Sequence, residues 1–586
     1  MQMATSKIQK AVLYAAKEPT AQQQERLLHF LEEKYGRAYE LDWHEDVSTG
    51  NGFRLVVGDE VYDNTKEGRF LQLKELLGEL ALREDAEDVI SLYRSSIDSW
   101  DAETVAEEEG TVLSVGDGIV FIDGLGGAEY GEIVVFESGV KGMFQDIRQD
   151  TMGVILFGDD SEVRVGSRVR RTKKTAGIPV GDAFLGRVVN ALGEPIDGMG
   201  PIAASDYRIV EAPAASIIDR QSVDTPMYTG LLTIDSMFPI GRGQRELIIG
   251  DRQTGKTTIA LDTILNQKGK DVICIYVAIG QKAGSIAQLV GNLKKKGAMD
   301  YTVVVSATAS EPAPIQYIAP YAGTSLGEYF MYQGKDVLIV YDDLSKHAIA
   351  YRALSLLLDR SPGREAYPGD VFYLHSRLLE RSAHLSDALG GGSMTALPIV
   401  ETQGGDVSAY IPTNIISITD GQIFLESDLF FSGQRPAVNV GLSVSRVGGA
   451  AQTKAMKKAA GSIRLDLAQY REMEIFTQFS SDLDEATRKQ LVYGQGLMQL
   501  LRQPQGSPFS LHEQVVILVA ATAHVMQDVD PLRITEFRKA LLAYFEQKKR
   551  TLMQKIDTEG TMSDEQKAEI IETAKEYLEL WQTAEK

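Results

Sequence analysis

The chain has 586 residues, 44% hydrophobic and 24% charged, a composition typical of a soluble globular protein with three or four domains. Its formal net charge of −22 disfavours nucleic acid as a partner, because the few short basic runs cannot offset repulsion from a polyphosphate. The N-terminal residues argue against an export signal, and no run of roughly 18 apolar residues predicts a membrane span. Cys274 is expected to be a small buried hydrophobe in a protein of the cell interior.

Residues 1–84 predict a small α+β module. Its first part, residues 5–35, is rich in Ala, Gln, Glu and Leu and predicts two short helices. Three extended stretches and a helix at about residues 66–82 follow, with a Gly-Asp turn between the last two strands. The stretches are Ala38–Trp43, Phe53–Val57 and Glu60–Tyr62. A separate amphipathic helix is predicted at Glu87–Trp100, within a linker of residues 85–104.

Residues 105–174 predict a small antiparallel β-barrel, because short β-prone runs alternate there with turns rich in Gly and Asp. The predicted strands are Thr111–Val115, Ile119–Ile122, Glu132–Phe136, Thr151–Leu156 and Val163–Val169.

Residues 175–451 predict an α/β domain with a mostly parallel sheet, because strand-like and helical runs alternate. The predicted strands are Leu247–Ile249, Val272–Ile279, Tyr301–Val305, Val337–Tyr341, Val371–Leu374 and Ile415–Ile418. Residues 452–586 predict a helical bundle, and Ser563 with Gln566 forms a capping box for its last helix.

The strongest motif is a complete G-x-x-x-x-G-K-T phosphate-binding loop between the strand Leu247–Ile249 and a helix. Its glycines let successive backbone N–H groups point at phosphate oxygens, and the helix N-terminus adds its positive end. The lysine supplies a charge to the β- and γ-phosphates, and the last threonine hydroxyl suits Mg²⁺. The loop residues are Gly250, Asp251, Arg252, Gln253, Thr254, Gly255, Lys256 and Thr257.

A second motif is the apolar strand Val337–Tyr341, which ends in Asp342. A carboxylate there lies at the sheet edge where the phosphate loop opens. The sequence therefore predicts that Thr257 and Asp342 hold Mg²⁺, the latter through water.

Several longer stretches resemble the alpha subunit of F-type ATP synthase, and the resemblance runs from about Glu87 to the C-terminus. They are Pro239–Gly250, Gly250–Thr257, Tyr276–Gln281, Tyr341–Lys346, Ser361–Asp370 and Ser443–Gly448. The resemblance implies a barrel crown, a RecA-like nucleotide domain that binds ATP or ADP with Mg²⁺, and a helical bundle. It also implies beta subunits that alternate with this chain in a hexamer, a gamma rotor, and a peripheral position on the cytoplasmic face of the bacterial plasma membrane.

The same resemblance implies that this subunit binds nucleotide without hydrolysing it. The catalytic beta subunit carries a glutamate just after the strand that follows the phosphate-loop helix, and the matching residue here is Gln281. An amide can hydrogen-bond a water molecule but cannot accept its proton. The alternative is that Glu246, Glu311 or Glu328 acts as the base.

Arg446 is, by resemblance, the arginine that reaches the γ-phosphate in the neighbouring beta subunit. A guanidinium there stabilises the charge of the transferring phosphoryl group. The resemblance also places Arg252, Gln253 and Thr258 among the phosphate contacts. It assigns the base pocket to Arg435, Pro436, Gln503 and Gln505.

Residues 1–84 depart from an ordinary alpha subunit. The run from Gly52 to Gly68 resembles the C-terminal part of the delta subunit, which ties the head to the peripheral stalk. We therefore expect a delta–alpha fusion that contacts the delta and b-type stalk subunits.

Three other classes remain as alternatives. A Rho-type hexameric helicase shares the RecA-like core but needs a basic, aromatic RNA-binding barrel. A catalytic rotary or export ATPase subunit would carry Glu at position 281. A structural scaffold would not need an intact Lys256, Thr257 and Asp342.

Overall fold

The computed structural model describes residues 9–50, 52–58, 60–66, 68–70, 106–477 and 485–584. Of the helix predicted at residues 66–82, the part from residue 71 onward therefore lies outside the described residues. The helix predicted at Glu87–Trp100 lies wholly outside them. No helix within these ranges combines the length and apolar character that crossing a membrane requires.

The N-terminal module is a mixed sheet with one long helix among its described residues. The sheet has the order β4-β3-β1-β2, and β1 and β2 run parallel. The helix α1 starts at a capping box on Thr20 and stops at Gly36, whose φ of 65° suits glycine. These elements are β1 Gln9–Ala15, α1 Ala21–Tyr35, β2 Tyr39–Glu45, β3 Phe53–Val57 and β4 Glu60–Asp63.

The prediction of two helices over residues 5–35 is wrong in its first half. Gln9–Ala15 is a strand between β2 and β3, and it buries the alternate residues Ala11 and Leu13. Local composition favoured a helix, but pairing with strands distant in sequence decides the structure of such a short segment.

The predicted antiparallel barrel is confirmed as part of the fold. It is a closed six-stranded sheet of order β10-β7-β8-β9-β6-β5, and β10 pairs back with β5 through Arg168 and Thr111. The sequence missed β8, and the strand predicted at Val163–Val169 is wrong up to residue 167, because β10 begins at Arg168. The strands are β5 Ala106–Gly116, β6 Ile119–Asp123, β7 Glu132–Phe136, β8 Lys141–Ile147, β9 Met152–Leu156 and β10 Arg168–Thr175.

The N-terminal module continues the barrel sheet. Strand β4 pairs antiparallel with β5, with Glu60 opposite Glu108 and Tyr62 opposite Ala106. Module and barrel therefore share one ten-stranded sheet in the described part of the chain.

The nucleotide domain is built on a sheet of order β12-β16-β15-β17-β18-β14-β19-β20, whose pairs are parallel except for the edge strand β20. A separate two-stranded antiparallel sheet is formed by β11 and β13, which flank β12 in the chain. The strands are β11 Gly177–Val180, β12 Val188–Asn190, β13 Asp206–Ile209, β14 Leu247–Gly250, β15 Val272–Gln281, β16 Thr302–Thr308, β17 Asp336–Asp342, β18 Ser393–Glu401, β19 Gly421–Leu425 and β20 Val444–Ser445.

Helices pack around this sheet. They are α2 Leu232–Met237, α3 Lys256–Leu265, α4 Ala283–Lys296, α5 Ala313–Met331, α6 Leu344–Leu357, α7 Val371–Leu379, α8 Tyr410–Ile418 and α9 Ser427–Phe431.

Two predicted strands of this domain are helices instead. Val371–Leu374 begins α7, which buries Val371, Leu374 and Leu378 on one face. Ile415–Ile418 ends α8, which buries Ile411 and Ile415. A short apolar window fits a strand or a helix, and only the longer 3.6-residue spacing separates them. The strands β18 and β19, which the sequence missed, complete the sheet.

The C-terminal part is helical, as predicted, so the predicted multidomain fold class is confirmed. The Ser563–Gln566 capping box is present, with N–H to Oε1 and N–H to Oγ distances of 2.7 and 3.1 Å. The domain boundary residues stay predictions. The helices are α10 Lys454–Ala459, α11 Ile463–Thr477, α12 Glu485–Leu500, α13 Leu511–Thr522, α14 Ile534–Lys548, α15 Arg550–Glu559 and α16 Asp564–Ala584.

Candidate functional site: the phosphate loop and its neighbours

The phosphate loop joins β14 to α3 at the carboxyl edge of the sheet. Gln253 and Gly255 have positive φ angles of 63° and 95°, which turn the chain so that α3 begins at Lys256. Because the first N–H group bonded within the helix is that of Ile259, to Gly255, the N–H groups of Lys256, Thr257 and Thr258 are left for a ligand.

Lys256 is folded back against the loop. Its Nζ donates to the carbonyl oxygens of Gly250 at 2.9 Å and Asp251 at 2.5 Å. Burial holds the pKa of Lys256 below its ordinary value, although nearby carboxylates, among them Glu401 and Asp342, partly offset this effect. The ammonium therefore sits over the space that the loop encloses, held by acceptors that a phosphate can replace.

Asp342, at the end of β17, joins the elements of the site. Its Oδ2 accepts hydrogen bonds from the Thr257 hydroxyl at 2.8 Å and the Tyr276 hydroxyl at 2.5 Å. Its Oδ1 accepts one from Gln281 Nε2 at 3.0 Å. Because β15 and β17 are parallel neighbours, their carboxyl ends bring Gln281 and Asp342 together.

The hydroxyl of Thr257 and the carboxylate of Asp342 are oxygen donors of the kind that Mg²⁺ prefers, and they meet beside the loop. These residues fit a hydrated magnesium ion bound to phosphates. Tyr276 completes the set from the middle of β15. The sequence analysis assigned no role to Tyr276, although this residue opens the stretch Tyr276–Gln281 that resembles the alpha subunit.

The three glutamates considered as alternative bases have other partners. Glu328 is fully buried in a pair with Arg381, at 2.7 Å. Glu311 accepts the backbone N–H of Thr308. Glu246 is fully buried and accepts from Gln244 at 2.7 Å.

Two loop side chains turn away from the enclosed space. Arg252 is largely exposed and pairs with Glu401 at 3.0 Å. Asp251 accepts from Thr402 and Ser427, at 2.7 and 3.1 Å. Burial raises the pKa of Asp251, but these hydrogen bonds and one from Gly405 outweigh it and hold that pKa below its ordinary value. Asp251 thus ties the loop to the segments that follow β18 and β19.

The predicted base-pocket residues are only partly together. The Gln503 N–H donates to the Arg435 carbonyl at 2.8 Å, which joins the segments of Arg435–Pro436 and Gln503. The buried Gln503 amide, however, donates to the Gly230 and Ser507 carbonyls at 2.7 and 2.8 Å. Gln505 is exposed and lines a separate cavity of about 380 Å³.

Phe430, which the sequence analysis did not select, lies between the phosphate loop and Arg435. The Arg435 guanidinium lies over its ring at 4.4 Å. A Cβ built on Gly255 would lie 3.6 Å from the same ring, so Phe430 connects the phosphate loop with the segment of Arg435. An aromatic face in this place suits a purine ring.

Arg446 is exposed at the end of the edge strand β20. Its backbone N–H donates to the Asp420 carbonyl at 2.8 Å, and its Nη2 donates to the Ile416 carbonyl at 3.3 Å. The guanidinium therefore lies on the protein surface.

The fold and this site define a nucleotide-binding protein of the P-loop class with a RecA-like central domain. A family model for the ATP synthase alpha/beta family, nucleotide-binding domain, matches residues 230–445. Models for the beta-barrel domain of that family and for the C-terminal domain of the alpha/beta chain match residues 105–173 and 452–577. A model of the ATP synthase delta (OSCP) subunit matches residues 1–77.

Curated relatives agree. The ATP synthase subunit alpha of Clostridium botulinum (strain Hall) is 58% identical over 484 residues, which cover 83% of this chain and 96% of the relative. Those of Clostridium kluyveri and Caldanaerobacter subterraneus subsp. tengcongensis are 56% and 58% identical over 495 residues, 84% of this chain and 98% of each relative. The chain belongs to the alpha-subunit family of F-type ATP synthase, with a delta-like N-terminal segment.

Proposed function

We propose that this chain holds Mg-ATP or Mg-ADP without hydrolysing it, as the non-catalytic subunit of an ion-translocating ATP synthase. The observation that carries the proposal is the contact between Gln281 and Asp342, because it puts an amide at the place where a proton acceptor would be needed. Asp342 itself receives three hydrogen bonds, and its role is to position magnesium-bound water.

The chain's own residues act by binding and orienting. The free N–H groups at the start of α3 bind phosphate oxygens, and Lys256 exchanges its carbonyl partners for the β- and γ-phosphates. Bound magnesium neutralises phosphate charge. Thr257 and Asp342 would hold it, while Phe430, Arg435 and Pro436 offer a surface to the base.

Arg446 acts in the neighbouring subunit. Its exposure at a sheet edge, with the backbone fixed by Asp420, supports a guanidinium that completes the catalytic site of a beta subunit. Charge on the transferring phosphoryl oxygens is what such a group stabilises. Beta subunits and a gamma rotor are therefore the partners of this chain, in a complex attached peripherally to the cytoplasmic face of a bacterial plasma membrane.

Substitutions at the two positions separate these roles. In the assembled head, Arg446→Ala should lower ATP turnover on the order of 10³-fold or more while assembly is kept. Gln281→Glu should leave nucleotide affinity within about threefold and add slow turnover to the isolated chain. Arg164→Ala, at an exposed arginine of the barrel, is the control. Brisk hydrolysis by the unaltered isolated chain would contradict the non-catalytic role.

The N-terminal module is proposed to tether the head to the stalk through the delta and b-type subunits. The match of residues 1–77 to the delta (OSCP) model supports this. In a pulldown with the b-type subunit, removal of residues 1–84 should abolish capture of the head. Capture that is undiminished by the deletion would reject the tether.

A further inference from the structure

The carboxyl group of Glu246 is an unusual feature of the nucleotide domain. The residue lies directly before β14 and is 0% exposed. Its Oε2 accepts from Gln244 Nε2 at 2.7 Å, while Oε1 has no hydrogen-bond partner among the described residues. Burial, and then the nearby Asp420, raise the pKa of this carboxyl well above its ordinary value, so burial favours its neutral form. A buried polar atom without a partner is costly and calls for an explanation.

The carboxyl lies directly beneath the strand pair that carries Arg446. A Cβ built on Gly421 would lie 2.4 Å from Oε2 and 2.9 Å from Oε1, so the Gly421 backbone packs on this group. Gly421 opens β19 and pairs with Ser445 of β20. Arg446 is the residue after Ser445, and its positive charge lowers the pKa of the Glu246 carboxyl, against the larger opposite effect of burial.

The two residues before Glu246 contact the same segment. Gln244 Nε2 lies 3.5 Å from the Ser445 hydroxyl. Arg245 binds the Asp420 carboxylate through its N–H, Nε and Nη2, at 3.0, 3.0 and 2.9 Å. The Asp420 carbonyl in turn accepts the Arg446 N–H. Three consecutive residues thus support one short surface segment.

We infer that Glu246 is a positioning residue for Arg446, which it acts on through the packed Gly421 backbone and the β19–β20 pair. The inference rests on the proposed role of Arg446 in the neighbouring subunit. A carboxyl serves here better than an apolar side chain of the same size, because its hydrogen bond to Gln244 fixes its orientation under the pair.

The test uses the assembled head with Glu246→Ala, Glu246→Gln and Arg446→Ala. Glu246→Ala should lower kcat on the order of 10²-fold, because displacing a catalytic group by about 1 Å costs that much, and should leave KM within about twofold. Glu246→Gln, which keeps the shape and an acceptor for Gln244, should lose no more than about threefold. Thr324→Ala, which removes a buried hydroxyl elsewhere in the same domain, should leave kcat within about twofold.

A second readout separates positioning from general damage. Binding of MgADP–aluminium fluoride, a mimic of the transferring phosphoryl group, should weaken about as much in Glu246→Ala as kcat falls. In a protein that already carries Arg446→Ala, adding Glu246→Ala should not weaken binding of the analogue any further. If Glu246→Ala does not assemble, Glu246→Met, which fills the volume, gives the same comparison.

The outcomes are distinct. Full activity of Arg446→Ala would overturn the proposed function and this inference with it. Loss of activity in Arg446→Ala, with normal kcat in the Glu246 variants, would overturn the inference alone. An equal loss of analogue binding in both backgrounds would show that Glu246 supports the fold and not Arg446.

Discussion

The nucleotide domain and the N-terminal module are both mixed α/β structures, but they differ in how much they bury. In the nucleotide domain, β15 and β17 are buried along nearly their whole length by helices on both faces. In the described part of the module, the core consists of six buried side chains, with partly exposed aromatics around them. The six are Ala11, Leu13, Leu31, Leu55, Val57 and Tyr62.

The two regions also differ in the environment of their charged side chains. Inside the nucleotide domain, Arg381 and Glu328 form an ion pair that is 0% and 3% exposed. In the module, Glu60 accepts from Tyr35 and Tyr62 at a partly exposed edge, and the sheet continues onto the barrel. A small core contributes little stability by itself, so a module of this size depends on its neighbour.

The largest effect is expected at the buried ion pair. Arg381→Met leaves the Glu328 carboxylate without its main partner and should lower the free energy of unfolding of the nucleotide domain by about 3–5 kcal/mol. Urea-induced unfolding, monitored through the loss of nucleotide binding, measures this change in the free energy of unfolding. Arg533→Met, at a half-exposed pair, is the control and should change stability by less than about 1 kcal/mol. Equal losses of stability at the two sites would show that burial does not set the strength of these ion pairs.

A smaller and local effect is expected in the module. Leu13→Ala should destabilise the module by about 3 kcal/mol, because it opens a cavity among six core side chains. Hydrogen exchange should rise in β1 and β3 and stay unchanged in β15 and β17. A matching rise in the nucleotide domain would mean that the two regions unfold as one unit.

The smallest effect is expected at the seam between module and barrel. Arg54 pairs there with Glu109 of β5, and both side chains are about nine-tenths buried. Arg54→Met should loosen β4 from β5 by about 2 kcal/mol, the value of a hydrogen bond to a charged group. Hydrogen exchange of the β4 backbone amides measures this loosening. Lys10→Met, at an exposed ion pair within the module, is the control. Unchanged protection of β4 would show that the backbone pairing alone holds the seam.

Prediction from sequence succeeded where a signal is local or a motif is long. The phosphate loop, the carboxylate that ends β17 and the Ser563 capping box all depend on residues within a few positions of each other. It failed for β1, α7 and α8, where a short apolar or mixed segment takes the structure that its neighbours impose. The strand β18 was missed although it is buried along almost all of its length.

The site shows the same division. Sequence selected Gln281 and Asp342 separately, and the parallel register of β15 and β17 brings them within hydrogen-bond distance. Tyr276 and Phe430 were given no role, because their contacts with Asp342 and Arg435 appear only in the folded chain. Gln503 was selected for the base, but its amide is occupied by backbone carbonyls.

The family, the phosphate loop and the order of barrel, nucleotide domain and helical bundle can be predicted from the sequence, because each depends on contiguous residues. The folded chain alone reveals two further relations. The module's sheet joins the barrel, and Glu246 packs against the β19–β20 pair that precedes Arg446. Contacts between residues 175 or more positions apart, such as Gly421 with Glu246, depend on how strands are ordered across a sheet, and no local pattern encodes that order.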